Sequence, residues 1–332
     1  MPAALRPAKH RPLNRIRTTI DPAGTRVGNR RCGSATTGAI AAMILAALAA
    51  PPARAERLLV VTASDAPAYR QALAGIRKSA GRLPVEILQL TAANLEASSR
   101  DLGNAGRGTA MVALGARAND VATRSGTAAP IVGCMVPAPD APRGPASTPS
   151  VSTDIPVDAQ IGWLRRLLPA ARNVGLLYDP ALNGRRVDAL AAALAAAGYT
   201  AVRVPVAAPA ALPAAIGRLN NTVDVILGLP DATVYSQQAA KALLLFSFRH
   251  KIPLVGLSDA WVKAGALYAL DWDYEEVGGY CASLAFRQLA AGRPSAPPAP
   301  PRPRVAVNLR TAAQLDLNWD PDLIRGVDRT FE

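Results

Sequence analysis

From Arg57 onward, short unbroken apolar runs alternate with Ala- and Leu-rich amphipathic stretches, and few folds tolerate that alternation. The runs "RLLVVTAS" (57–64), "VEILQL" (85–90), "TAMVALG" (109–115) and "APIVGCMV" (129–136) read as strands apolar on both faces. Such strands must be covered on both sides, which calls for a parallel sheet with crossover helices. Helices are expected at 66–80, around 92–102 and at 116–126. A Pro- and Ser-rich loop, 137–150, then interrupts the pattern, and it restarts. Helix 158–169 leads to strand 173–179, helix 184–198 to strand 200–206, and helix 209–220 to strand 223–229. Helix 232–250 and strand 252–258 follow, then a strand near 267–270 and a helix from about 274 to 291. The stretch "RPSAPPAPPRPR" (293–304) cannot hold a regular helix and reads as an extended connector, before a last strand and short helix over 305–317. Right-handed crossovers then give an α/β chain of two doubly wound parallel-sheet lobes. The strand–helix pair 266–291 is expected to return to the first sheet. Lobe 1 would therefore be 56–155 with 260–292, and lobe 2 156–259 with 305–332.

The residues before this alternation look like an export signal. Eight Lys/Arg against one acid occupy 1–31, "AIAAMILAALAA" (39–50) is apolar, and Ala53 and Ala55 form an Ala-x-Ala site. A basic segment, a short apolar core and small residues at the cleavage position define a Sec-type signal peptide over 1–55, and hence a periplasmic location. The apolar run falls short of the roughly 20 residues that span a bilayer. The chain as a whole carries 37 basic and 24 acidic side chains, a net +13. Setting aside the nine basic residues and one acid of the leader leaves 28 against 23, or +5. That charge suits solubility, and no basic patch interleaved with aromatics accompanies it, so nucleic acid is not an expected partner. Cys134 and Cys281 remain in the exported part, either as a disulfide or as two buried thiols.

Catalytic parts are scarce. The one histidine beyond the leader is His250, where a helix ends and a cation suits the dipole. There is no GxSxG elbow, no Walker A loop, no GxGxxG after the first strand and no metal-ligand spacing, so neither enzyme activity nor a cofactor or metal is expected. Open α/β sheets bind ligands outside the carboxyl ends of their strands. The polar, aromatic or glycine residues at those ends are Ser64, Gly115, Tyr178, Asn183, Asp231, Ser258 and Asp271, and these are the candidate ligand-binding residues. Asp231, in "VDVILGLPDATVYSQ" (223–237), could equally serve as the cap of a helix starting at Ala232.

Four stretches resemble the ABC-transporter substrate-binding family, in the branch with tryptophan- and tyrosine-type binders. They are "NVGLLYDP", "VDVILGLPDATVYSQ", "HKIPLVGLSDAWVKAGALYALDWDYEEVGG" and "VAVNLRTAAQLDLNWDPDLIRGVD". The Asn-x-x-Thr-Ala signature, here Asn308, Thr311 and Ala312, is the most specific piece. The resemblance covers about 158–332 and is thin over 56–150, where the family's usual motifs after the first and fourth strands are missing. It implies a type I periplasmic binding fold, an amino acid-like ligand in the cleft with Asp231 and Ser258 on its wall, and an inner-membrane ABC permease as partner. A ligand-sensing subunit for a signalling or outer-membrane partner is the alternative role.

Overall fold

The computed structural model describes residues 57–106, 108–137, 148–290 and 300–332. The expected leader (1–55) and most of the Pro-rich connector lie outside the described residues. Two sheets result. The first has strand order β2-β1-β3-β4-β5, with β1 Arg57–Thr62, β2 Val85–Gln89, β3 Thr109–Leu114, β4 Ile131–Cys134 and β5 Ser150–Val151, every pair parallel. Its helices are α1 Pro67–Ala80, α2 Leu95–Gly103 and α3 Ala116–Arg124. Alternation along the strands divides its core in two. Leu58, Val60, Val112 and Val132 face one way, and Leu59, Val61, Met111 and Ala113 the other, the latter against α2 and α3.

The second sheet has seven strands in the order β12-β11-β10-β9-β8-β6-β7. These are β6 Asn173–Tyr178, β7 Thr200–Pro205, β8 Val225–Leu227, β9 Leu254–Gly256, β10 Tyr268–Asp271, β11 Arg304–Asn308 and β12 Arg329–Phe331. Its helices are α4 Val157–Leu167, α5 Pro180–Ala196, α6 Leu212–Gly217, α7 Gln237–His250 and α8 Asp259–Lys263. All described pairs are parallel except β10–β11.

The segment 266–291 divides between the sheets instead of returning whole to the first. Strand β10 stays in the second sheet, beside β9 and β11, while the helix after it, α9 (Tyr274–Leu289), packs on the first sheet. Val277, Cys281, Ala282 and Ala285 of α9 complete the core that α1 begins with Ala72 and Ile76. The chain therefore passes between the sheets before α4, between β10 and α9, and between α9 and β11. Two of these crossovers are tied together: the Trp272 indole N–H donates to the Thr153 carbonyl at 2.8 Å.

Cys134, at the end of β4, and Cys281, on α9, form a disulfide across 147 residues of sequence, with Cα atoms 5.9 Å apart. That spacing lies within the ordinary range for a bridge. The link holds a helix supplied late in the chain onto a sheet built early. Replacing both cysteines with alanine is expected to cost about 2–4 kcal/mol, because the unfolded chain regains the freedom of a long closed loop. Thermal unfolding with and without reductant checks this, and equal midpoints would rule out the bridge as a stabilising element.

Two expected helix starts move for local reasons. Helix α5 begins at Pro180, not 184, because Asp179 caps it: its Oδ1 accepts the Ala181 N–H at 2.9 Å, and proline suits the first helical position. Helix α7 begins at Gln237, not 232, because Ser236 is its cap, with Oγ accepting the Ala239 N–H at 3.2 Å.

A cleft at the strand ends

Asp231 does not cap the long helix, yet its carboxylate is fully occupied. Oδ2 accepts the Asp179 N–H at 2.7 Å and the Asn183 side-chain amide at 2.8 Å. Oδ1 accepts the N–H groups of Thr233 at 3.0 Å and Val234 at 3.1 Å. The Thr233 hydroxyl returns the link by donating to Asp179 Oδ2 at 2.8 Å. Asp179, Asn183 and Asp231 are all buried. An ionised carboxylate has about four acceptor sites, and here four donors fill them. The cluster is a brace between the β6–α5 and β8–α7 turns. Tyr178 beside it packs against the second sheet's core.

The other candidates divide as well. The Ser64 Oγ accepts the Ala66 N–H at 3.2 Å, shaping the turn into α1. Gly115 lies under Tyr69, whose hydroxyl would be 2.6 Å from an added Cβ, and its φ of +92° also excludes most side chains. Ser258 and Asp271 do come together. They line a cleft of about 1190 Å³ at the carboxyl ends of β9 and β10, which is also lined by Ala66, Pro67, Ala68 and Gln71 at the start of α1 from the first sheet. Ser258 precedes α8 without spending its hydroxyl on a cap bond. The first turn of α1 likewise has no side-chain cap, since Ala66 holds that position. Its positive dipole end therefore faces the cleft.

Asp271 is half-buried. Burial raises its pKa above the ordinary value of 3.8, against the lowering effect of the Trp272 N–H (2.8 Å) and the Tyr274 hydroxyl. The neighbouring Asp259 charge adds to the rise, while the Asp259 N–H opposes it. Tyr274 in turn is held protonated by its own burial and by the Asp271 charge. Three donors leave this carboxylate acceptor capacity that Asp231 lacks.

Sequence reasoning missed most of the remaining wall. Arg304 faces Asp271 across the antiparallel β10–β11 pair and pairs with Asp273, Arg302 pairs with Asp328 at 2.7 Å, and Arg329 pairs with Asp259. Burial alone would raise the Asp328 carboxyl, but the Arg302 hydrogen bond, the Val305 N–H and the nearby Arg charges outweigh it and lower the pKa. Six acids and three arginines line the cleft, an excess of three negative charges. No sequence signal could have found the arginines, because two of them, Arg302 and Arg304, lie at the end of a segment that reads only as a proline-rich connector.

A family model described as ABC transporter substrate binding protein matches residues 127–326. The chain belongs to that family. It is a family of binding proteins, not of enzymes, and its members are periplasmic or extracellular and hold small-molecule solutes for ABC permeases. No curated protein sequence matches the chain. Among solved structures, it is similar to a substrate-binding protein with adhesive properties from Clostridium difficile in its ligand-free, open form. The TM-score is 0.69 at 17% identity, over 83% of this chain and 100% of that one. An ABC domain in complex with L-Trp from Streptococcus pneumonia gives 0.60 at 16% identity, over 83% and 100%. A periplasmic ribose ABC transporter protein from Conexibacter woesei gives 0.55 at 13%, over 82% and 98%. The fold is thus the type I periplasmic binding fold.

The family's Asn-x-x-Thr-Ala signature has a structural task here. Asn308 caps the short helix α10 (Leu309–Gln314) by accepting the Thr311 N–H at 2.7 Å, and its amide donates to the Val262 carbonyl at 2.8 Å. The Thr311 hydroxyl reaches the Gly265 carbonyl at 3.2 Å, so the motif fastens α8 and the turn after it to β11. His250, the last residue of α7, lies against Phe246 with ring centroids 4.3 Å apart. Among the described residues no cluster of His, Cys, Asp or Glu could hold a metal ion, and no helix is long and apolar enough to cross a membrane.

Proposed function

We propose that this chain is the exported solute receptor of an ABC importer, released by cleavage after Ala55, and that its solute is amino acid-like. The observation that carries the reading is Asp271, a half-buried carboxylate with spare acceptor capacity in a cleft of net negative charge. An ammonium group suits that site, and a charge-assisted hydrogen bond there would be worth about 1.5–3 kcal/mol. The uncapped start of α1, which also lines the cleft, suits the solute's carboxylate. Ser258 supplies a neutral contact between them, while Asp231 serves as the brace beneath. Permease docking would then follow closure of the two lobes on the solute.

The test is calorimetry of the purified protein with aromatic and aliphatic amino acids, the corresponding amines and N-acetyl forms, and common sugars. Amino acids are expected to bind, and N-acetylation to abolish binding. Asp271→Asn should weaken binding at least tenfold, about 1.4 kcal/mol. Binding of sugars with no response to amino acids would reject the reading. The pH dependence has a definite sign. An ammonium needs Asp271 ionised, so affinity should hold at neutral pH and fall as the pH drops through the raised pKa of Asp271. The free protein behaves in the opposite sense. A carboxyl with a raised native pKa adds stability below pH 3.8 that is lost as the pH rises through the native value, so Asp271→Asn should not lower stability at pH 7.

A further inference from the structure

The second lobe carries a groove of about 630 Å³ at the end opposite the cleft, and the two share no lining residue. Residues of α7, of the turn after α8 and of α10 line it. Asn308, in its wall, donates its N–H to the Leu267 carbonyl just before β10, whereas the cleft lies where β10 ends. On α7 the spacing of Lys241, Leu244, Leu245 and Phe248 puts all four within an arc of about 100°. Leu245 is 42% exposed and Phe248 57%. The other exposed large apolar residues among the described ones, Ile87 and Leu182, stand singly on β2 and α5, and single surface apolar residues are ordinary.

The surroundings of this apolar pair are basic. The charged side chains lining the groove are Lys241, Lys263, Arg310 and Glu332, three cations against one acid. Arg249 follows Phe248 on the same helix. Lys241, Arg249, Lys263 and Arg310 are all exposed, and none has an ion-pair partner among the described residues. Lys251, by contrast, is spent on Asp316. A second copy docking here about a twofold axis would bring the same cations together. Two exposed apolar side chains also fall far short of the roughly 800 Å² per partner that stable protein interfaces bury. An anionic bilayer needs neither a matching shape nor a fixed spacing of charges. Its headgroups attract the cations, and apolar side chains enter the boundary with the acyl chains.

We propose that this end of the second lobe rests on an anionic phospholipid surface. Lys241, Arg249, Lys263 and Arg310 meet the headgroups, while Leu245 and Phe248 insert between them. The contact is peripheral and sensitive to salt, and it leaves the solute cleft at the other end of the lobe uncovered.

The test is co-sedimentation of the purified protein with vesicles of phosphatidylcholine, alone or with phosphatidylglycerol as about a third of the lipid. Binding is expected to the anionic vesicles only, and about 0.5 M salt should abolish it by screening the cations. Lys241→Gln combined with Arg310→Gln should weaken it about thirtyfold. Phe248→Ser, which leaves every charge in place, should weaken it about tenfold. All three positions are exposed, so the variants are expected to unfold at the same temperature as the parent. Equal binding to both kinds of vesicle, or binding to neither, overturns the proposal. So does binding that both sets of substitutions leave intact, since that belongs to another surface such as the basic leader. A dimer in sedimentation velocity that Phe248→Ser dissolves overturns it too and assigns the patch to a second copy. Solute affinity of Phe248→Ser should equal the parent's, so this test and that of the cleft fail independently.

Discussion

Asp231→Ala should remove about 3–5 kcal/mol of stability while leaving solute affinity per folded molecule unchanged. The substitution deletes the single acceptor that serves four N–H groups: the backbone of Asp179, Thr233 and Val234, and the Asn183 amide. Val234 is fully buried and Asp179 and Asn183 nearly so, so water cannot replace the lost partner without opening both turns. Asp231→Asn preserves shape but turns one acceptor oxygen into a donor facing donors, so it should also destabilise, by roughly half as much. Equilibrium urea unfolding and calorimetry on the same preparations separate the two roles. Full stability with lost affinity would make Asp231 a ligand contact instead of a brace.

How that residue reads from sequence shows what the sequence can and cannot carry. The apolar runs that predict β1, β3 and β6 survive almost residue for residue, because burial on both faces is written into the strand itself. Helix starts depend instead on which of two nearby polar residues wins the cap. Ser236 wins over Asp231 because Asp231 is drawn to Asp179 and Asn183, about fifty positions away in sequence. The same limit explains β10. Its four residues, Tyr-Ala-Leu-Asp, hold no information on which sheet they join, and that choice rests on pairing with β9 and β11. The pairing of Cys134 with Cys281, and the delivery of Arg304 opposite Asp271, follow from these long-range steps. Of the seven candidate residues, only Ser258 and Asp271 share the cleft. The strand-end rule picks out residues by position alone, so it cannot tell a carboxylate filled by its own turns, such as Asp231, from one with acceptor capacity to spare, such as Asp271.

The crossing of α1 and α9 leads to the second large effect. At Gly278 an added Cβ would stand 1.9 Å from the Ala72 carbonyl oxygen, and at Gly75 one would stand 1.8 Å from that of Glu275. Both obstacles are backbone, so no side-chain rotation relieves them, and the helices must separate. Overpacking of this kind typically costs 1–3 kcal/mol, and contact with a rigid helix backbone puts Gly278→Ala at about 3 kcal/mol or more. The same helices end at the cleft: α1 begins on its wall, and α9 begins just after Asp271 and Trp272. Pushing them apart should therefore lower solute affinity together with stability, unlike Asp231→Ala. Gly184→Ala provides the control. It sits within α5, an added Cβ there meets nothing within 4 Å, and alanine is the better helix former, so a gain of about 0.5–1 kcal/mol is expected. Opposite signs at Gly278 and Gly184 in thermal unfolding would separate the cost of the helix crossing from any general intolerance of alanine at a glycine. Equal, small effects would mean that α1 and α9 do not pack this closely.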